Sequence, residues 1–454
     1  MMKIISLELN EVNFEFIEHF IRAGELPNFR GAIDRHGLVR TQAEQAHELL
    51  EPWIQWPTFY CGKTFDQHGI FRMGDVVSSD NLQIWERLEQ YGLKVGAISP
   101  ANAANRCASP AFFLPDPWTD TPAVADPGVL TLHGYIRDMV NRNASDTSGL
   151  FAKVRRLLPL AAAHIQPRSI PEYLRLLRIA RKAKWARAAI LDRLLADMSL
   201  SLIARTQPDY CSIFLNGAAH IQHHHMFDSD VYNGDRRNPD WYSSARADRI
   251  DPLLCVYRTY DQILGDMLRL KNHRVLVTTG LSQVPNHSEH YQYRLIDAKA
   301  TLQRLGLRGF DVQMRMSRDF LLTFQTVGDA AEAQSVLAGI VCAGGPLFTV
   351  DNRGDSLFCQ VTYHGPRAAL QAAGRELAFE GLDRAFVLAS IENGIHSTVG
   401  YHLDTGLSAG QPDGRAIIPL PSLFDKLVDL ALAGKRDHPT VAAESTAFAL
   451  ATVN

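Results

Sequence analysis

Short apolar stretches alternating with helix-like segments limit what this chain can fold into more than any other feature. Lys3–Leu9 reads as a buried strand, and the helix-like Phe14–Ala23 follows it and stops at Gly24-Glu25-Leu26-Pro27-Asn28. Leu82–Tyr91 reads as an amphipathic helix capped by Gly92, and Lys94–Ser99 as the next strand. Further strands are expected at Tyr210–Leu215, after a helix carrying Leu191, Leu195, Met198 and Leu202, and at Arg274–Thr278, after a helix near Tyr260–Leu270. Such a rhythm requires a mostly parallel sheet covered by helices on both faces, an α/β fold.

Two regions break the rhythm. Residues 151–193 hold eleven Lys or Arg against only Glu172 and Asp192, with Pro159, Pro167 and Pro171 dividing the stretch into short helices. A solvated helical face is the usual outcome of such a run, and an anion-binding cap is the alternative. In 310–362, the stretches Phe320–Phe324, Leu347–Val350 and Leu357–Thr362 alternate apolar and polar residues, and Asn352-Arg353-Gly354-Asp355 supplies a turn, so an antiparallel hairpin is expected. The expected organisation is an α/β core over 1–120 and 205–454, a basic helical insertion over 121–204, and a hairpin subregion over 310–365 within the core.

At 454 residues and 46% hydrophobic content the chain can bury a large core. A net charge of −3 provides no global field for nucleic acid or an anionic membrane. Cys61, Cys107, Cys211, Cys255, Cys342 and Cys359 form no C-x-x-C pair, which argues against a zinc ribbon or a disulfide framework and for a reducing compartment. The apolar run at Ile4 is cut by Glu8 and Glu11, and no later run is long enough to span a bilayer, so a cytoplasmic location is expected.

In open α/β sheets ligands gather at the carboxyl ends of strands. Those ends carry Asn10-Glu11, Asn216 to His225, and Gly280 to Gln283, to which Leu50-Glu51-Pro52-Trp53-Ile54-Gln55-Trp56 and Asn393 to His402 are added. Glu51, followed by Pro52 and flanked by Trp53 and Trp56, is a candidate acid or base whose pKa desolvation would raise; a loop carboxylate paired with an arginine is the bland alternative. Glu8, inside the first strand, is expected to pair with a base. His220 and His224 would share a helical face, and at least one of His223, His224 and His225 is expected to be exposed.

The string Gly24-Glu25-Leu26-Pro27-Asn28-Phe29, followed by Trp56, Gly62, His68-Gly69-Ile70, Ile84-Trp85-Glu86 and Gly92-Leu93-Lys94-Val95-Gly96, resembles the N-terminal half of type I phosphodiesterases of the alkaline phosphatase superfamily. Asn216-Gly217-Ala218-Ala219-His220 is similar to that family's D-x-x-G-H, Thr278-Thr279-Gly280-Leu281 stands where T-S-D-H is expected, and Gly394-Ile395-His396 resembles its closing metal histidine. The match runs over about 3–110, 205–285 and 390–406. The resemblance implies two zinc-type ions, one activating a Ser or Thr nucleophile. Here the ligands of that ion fall on Asn10, Gly280 and Leu281 and the nucleophile on Pro52, so the two-metal mechanism is not expected. The other ion's ligands fall on Asn216, His220 and His396, a set for one zinc-like ion at most, or for none.

The implied function is an enzyme acting on a small anionic substrate, a phosphate or sulfate ester such as a sugar- or nucleotide-linked one. Glu51, His220 and His396 are its candidate catalytic residues, and Asn10, Asn216, His224, Ser282, Gln283 and Trp56 its candidate substrate contacts. Glu11 and Asp404 are the alternative ligands if the alignment is shifted. A pseudoenzyme that binds or scaffolds is the other reading. The Leu-Glu-Pro-Trp-Ile-Gln-Trp segment also resembles bacterial alkaline-phosphatase-like proteins associated with surface-polysaccharide pathways.

Overall fold

A computed structural model describes residues 2–141, 159–243, 245, 248–288, 290–315, 318–409 and 417–436. Its centre is an eight-stranded sheet in the order Ile417–Pro419, Val39–Gln42, Val399–Asp404, His273–Thr278, Lys3–Leu9, Tyr210–Leu215, Val95–Ile98 and Phe112–Leu114. Lys3–Leu9 runs parallel to both its neighbours, with Glu8 opposite Phe214 on one side and Thr278 on the other. Val399–Asp404 is antiparallel to both of its neighbours, so the sheet is mixed but mostly parallel. Helices cover it, as the alternation in the sequence requires.

Alternation along the first strand sorts its two faces. Ile5, Leu7 and Leu9 enter the main core with Phe14, Ile17, Ile213 and Val275. Ser6, Glu8 and Asn10 point the other way, beneath the helix Pro52–Cys61. The expected base partner for Glu8 does not exist among the described residues. Tyr60 Oη donates to Glu8 Oε2 at 2.6 Å, while Ser212 and Ser6 donate to Oε1 at 2.7 and 2.9 Å. Burial, only partly offset by those hydroxyls, pushes the Glu8 pKa up to about 7. A carboxyl near neutrality satisfies itself with hydroxyls where a salt bridge would need a buried cation.

The helices Ile170–Ala180 and Ala186–Thr206 pack into the same core as the sheet through Leu176, Ala186, Ala189 and Met198. Residues 151–158 of the basic stretch lie outside the described residues. Many of the charges that follow are paired, among them Arg175 with Glu172 at 2.6 Å and Lys182 with Asp248 at 2.9 Å. Arg193 is buried, its Nη2 2.5 Å from Asp197 and its Nη1 3.0 Å from Asp266. Removing that cation leaves the buried Asp197 carboxylate without a cation, while Asp266 keeps Arg168 at 2.9 Å and Arg269 at 2.7 Å. Arg193→Met is expected to cost about 3–5 kcal/mol by urea unfolding, and a loss below 1 kcal/mol would show the cluster to be solvated.

A second core lies beyond the sheet. Phe348–Asn352, Ser356–Val361, Asp319–Phe324 and Phe310–Met314 form a four-stranded antiparallel sheet whose inner face, with Phe320, Leu322, Leu357 and Cys359, packs on Leu337 and Leu370. The turn at Asn352 to Asp355 joins its first two strands. All six cysteines are free. No helix of the described residues is long and apolar enough to cross a membrane.

Candidate functional site

Where the first strand ends, Asn10 and Glu11 leave the sheet under tight control. Glu11 sits at φ 59°, a left-handed conformation unusual for a residue with a side chain, and its neighbours hold it there. Its amide donates to the Thr279 carbonyl at 3.2 Å, and its carbonyl accepts from Gln222 Nε2 at 2.8 Å. This turn aims a carboxylate, 2% exposed at the residue level, into the space between the strand ends.

Three side chains converge on that carboxylate. His223 Nε2 lies 2.9 Å and His396 Nε2 3.2 Å from Glu11 Oε2, and Gln283 Nε2 donates to the same oxygen. The outer nitrogens of both imidazoles are already engaged. His223 Nδ1 meets the Gly394 carbonyl at 2.9 Å, and His396 Nδ1 faces Glu51 Oε2 at 3.5 Å. An imidazole that donates from Nδ1 to a carbonyl presents Nε2 inward, the orientation in which histidines ligate metals. Nitrogen lone pairs facing a carboxylate oxygen need positive charge between them, from protons or from a cation.

Electrostatics agree with that requirement. Burial would raise the Glu11 pKa, but the charges of His396 and His223 outweigh it and hold the carboxyl well below the ordinary range. Burial likewise works against His396, yet Glu11, Glu51 and the Leu50 carbonyl push its pKa up to about 9. His396 Nε2 is buried without a hydrogen bond of good geometry. Glu11, His223 and His396 offer ligand atoms all within 4.8 Å of one another. Two imidazole Nε2 atoms and one carboxylate oxygen suit a single zinc-like ion.

The sequence-expected ligand set was Asn216, His220 and His396, so of the three only His396 stands in this cluster. Asn216 is one step removed. Asn10 Nδ2 donates to Asn216 Oδ1 and to Glu11 Oε1, each at 2.8 Å, and Asn10 Oδ1 accepts from Trp56 Nε1 at 2.7 Å. Both N–H donors of the Asn10 amide and one lone pair of its oxygen are thereby used, and Asn10 and Trp56, both buried, brace the carboxylate. No described residue accepts from Asn216 Nδ2, which leaves that donor for a ligand.

His220, His223 and His224 all ride on the helix Gly217–His225, fixed at its start by Asp192. That carboxylate accepts from the Gly217 amide at 2.7 Å and from Tyr260 Oη at 2.6 Å. The His220 and His224 rings meet edge to face at 4.5 Å, as a shared helical face requires. Protein hems in His220 and, with the nearby imidazoles, lowers its pKa to about 4, yet the residue is exposed. A side chain both crowded and open to water lies on a cleft wall. Contrary to expectation, none of His223, His224 and His225 is exposed, and His225 is buried against Tyr242.

Glu51 forms the opposite wall as N-cap residue of the helix Pro52–Cys61, with Pro52 its first residue. It is half-buried, and burial raises its pKa, with His396 opposing and Glu11 reinforcing the shift; Arg318 also opposes it. Gln283 is buried with Nε2 committed to Glu11 and, at 3.1 Å, to the Ala219 carbonyl. Ser282 is buried and donates to the Val399 carbonyl at 2.6 Å. Asp404 pairs with Arg274.

The strand Gly394–Ser397 carries His396 opposite Gln283 in Ser282–Pro285. A Cβ at Gly394 would lie 2.9 Å from Met226 Cε and 3.1 Å from the Gln222 carbonyl, so only glycine lets this strand approach the histidine-bearing helix.

No protein-family model matches the chain, and no curated protein sequence matches it. Solved structures do. Phosphonoacetate hydrolase from Sinorhizobium meliloti 1021, in complex with phosphonoformate, matches at TM-score 0.45 and 10% identity, over 95% of this chain and 96% of that one. Murine ectonucleotide pyrophosphatase/phosphodiesterase 5, an inactive form in complex with AMP, matches at TM-score 0.43 and 12% identity, over 95% of each chain. Wild-type alkaline phosphatase PafA matches at TM-score 0.45 and 10% identity, over 95% of this chain and 96% of that one.

Proposed function

We propose that the protein is a hydrolase or transferase of a phosphate or sulfate ester that works with one zinc-like ion held by Glu11, His223 and His396. The observation that carries this reading is the convergence of two imidazole Nε2 atoms on one carboxylate oxygen while the outer imidazole nitrogens are occupied. A divalent ion there would polarise the ester and balance the charge of its oxyanion.

The chain's own residues take the remaining roles. Glu51, at the cleft wall with a raised pKa, is placed to hold a proton for the leaving oxygen. Asn216 Nδ2 offers a neutral donor to a substrate oxygen, and His220 lines the way in. Asn10, Trp56 and Gln283 keep Glu11 in position. No hydroxyl stands at Pro52, so the acceptor of the transferred group is water or a second substrate. The resemblance to polysaccharide-associated bacterial proteins supports a glycan-linked substrate, and the cysteine pattern supports handling it in a reducing compartment, the cytoplasm.

A binding subunit without turnover is the second reading, favoured by Leu281, which is fully buried where the family carries a metal histidine. Elemental analysis and turnover assays separate the two. One ion per chain and hydrolysis of aryl phosphate or sulfate esters, lost about 100-fold or more in Glu51→Gln, are expected from general acid–base catalysis. A metal-bearing protein inert on every ester class would leave the binding reading. An ion retained in His396→Ala would refute the ligand assignment.

A further inference from the structure

A second feature of the cleft has no part in the chemistry above. Between the segment 73–77 and the four-stranded antiparallel sheet lies an open cavity of about 240 Å³. Met73, Val77, Leu321 and Phe358 supply apolar walls, and the guanidinium groups of Arg315 and Arg353 enter from the sheet side. Such a volume suits one ring-sized group rather than a whole ligand.

The two arginines differ in how they are balanced. Arg353 is anchored, with Nη1 2.8 Å from Asp75 Oδ1 and Nε 3.2 Å from Asp351 Oδ2. Its guanidinium lies 5.3 Å from the Phe358 ring centre, and that of Arg72 lies 5.0 Å from the same ring. Arg315 has a single weak hydrogen bond, from Nη1 to the Trp118 carbonyl at 3.4 Å. Its Nε is buried with no partner, and no described carboxylate lies within ion-pair distance of it. Two carboxylates also line the cavity and attract Arg315 from beyond ion-pair distance, Asp75, which is paired with Arg353, and Asp120, which is turned to Arg137 at 3.3 Å. A guanidinium stays charged at any working pH, and a part-buried one without a direct ion pair is costly.

The cavity adjoins the proposed catalytic cleft. Asn102 Nδ2 donates to the Trp53 carbonyl at 2.7 Å and to the Arg72 carbonyl at 3.2 Å, and its Oδ1 accepts from the Gly74 amide at 2.8 Å. One buried amide thus staples the cavity wall to the helix turn that begins at Glu51. Arg318, three residues beyond Arg315, acts electrostatically on Glu51 itself.

We propose that this cavity is a subsite for a ring bearing an oxyanion, a sugar carboxylate or sugar phosphate, bound by Arg315 and Arg353 with its apolar face on Phe358 and Val77. It rests on the ester-cleaving reading only in being called a substrate subsite, since binding there needs neither metal nor turnover. The anion supplies the direct ion pair that Arg315 does not make with any described residue, and guanidinium forks match both carboxylate and phosphate geometry.

Titration calorimetry with glucuronate, glucose 6-phosphate and glucose tests it on the full chain. One or both charged sugars are expected to bind and glucose is not, and the preference between the two names the oxyanion. Arg315→Ala should weaken binding about tenfold or more, as loss of a charge-assisted pair does, while Glu11→Gln should leave it unchanged. Should Arg315→Ala fail to fold, Val77→Trp, at a position 43% exposed, fills the mouth and should abolish binding. Charged sugars binding no better than glucose, or binding that survives Val77→Trp and disappears in Glu11→Gln, would overturn the subsite. Failure of turnover with binding intact would count only against the catalytic reading.

Discussion

Glu11→Gln is expected to yield a folded protein that retains no stoichiometric divalent ion and has lost at least about 100-fold in any ester turnover. The change removes one oxygen's worth of charge and little else. Glu11 is the anionic member of the cluster, and both imidazoles lean on it. Substituting residues one layer outside a metal already costs about 10–100-fold in affinity, so loss of the charged ligand costs at least that much. Folding should survive, because the amide still accepts from Asn10 and Gln283 can turn its own amide. The informative pair of measurements is metal content beside the circular dichroism melt. An unaltered metal content would place the ion elsewhere in the protein.

Glu8→Gln is expected to change the pH dependence of stability rather than activity. A carboxyl whose folded pKa is about 7, against an ordinary 4.5, keeps a proton in the fold that the unfolded chain releases. The folded state therefore binds more protons between those values, and wild-type stability falls as pH rises through that window. The full penalty is reached above pH 7 and amounts to about 3 kcal/mol for a shift of this size. Glutamine cannot ionise. Near pH 4.5 the variant should be slightly less stable, since its NH2 faces Tyr60 where a hydroxyl donor was accepted, at about 1 kcal/mol for one hydrogen bond. By pH 8 it should be the more stable protein by about 2 kcal/mol, the difference of those two terms. Asp192 and Asp319, whose pKa values burial raises to about 6, contribute equally to both proteins and cancel in the comparison. Parallel urea-stability curves for the two proteins from pH 4.5 to 8 would show that Glu8 is ionised throughout.

The sheet was readable because its strands are short apolar runs with nothing else to become. Lys3–Leu9 and Tyr210–Leu215 stand where the pattern puts them. The antiparallel sheet was only partly readable. Its hairpin turn at Asn352 to Asp355 has a local signal, whereas the pairing of Asp319–Phe324 with Ser356–Val361 depends on contacts far apart in sequence.

The site divides along the same line. Strand ends identified the neighbourhood, and Glu51 and His396 do face each other across it. Sequence could not say which face of Gly217–His225 turns inward, because the i, i+4 rule that pairs His220 with His224 holds for any orientation of the helix. His223 points inward because Gly394 lets a strand approach on that side. Glu11 was overshadowed by Asn10, its neighbour at the position of the family's metal ligand. The signal lay in a strand ending in two polar residues, of which only the second carries charge. Ser282 and Gln283 were legible as buried polar groups, but nothing local reveals whether such groups serve a ligand or the backbone.

Residues 11, 223 and 396 are far apart along the polypeptide, which has a consequence for biosynthesis. A nascent chain still short of residue 396 lacks the third donor, and the glycine that brings its strand close is itself made only two residues earlier. A cation meeting the growing chain finds at most two donors and no pocket to hold it. Under the proposed single-ion reading, loading with metal therefore waits until translation has passed the last donor and the sheet has closed around it.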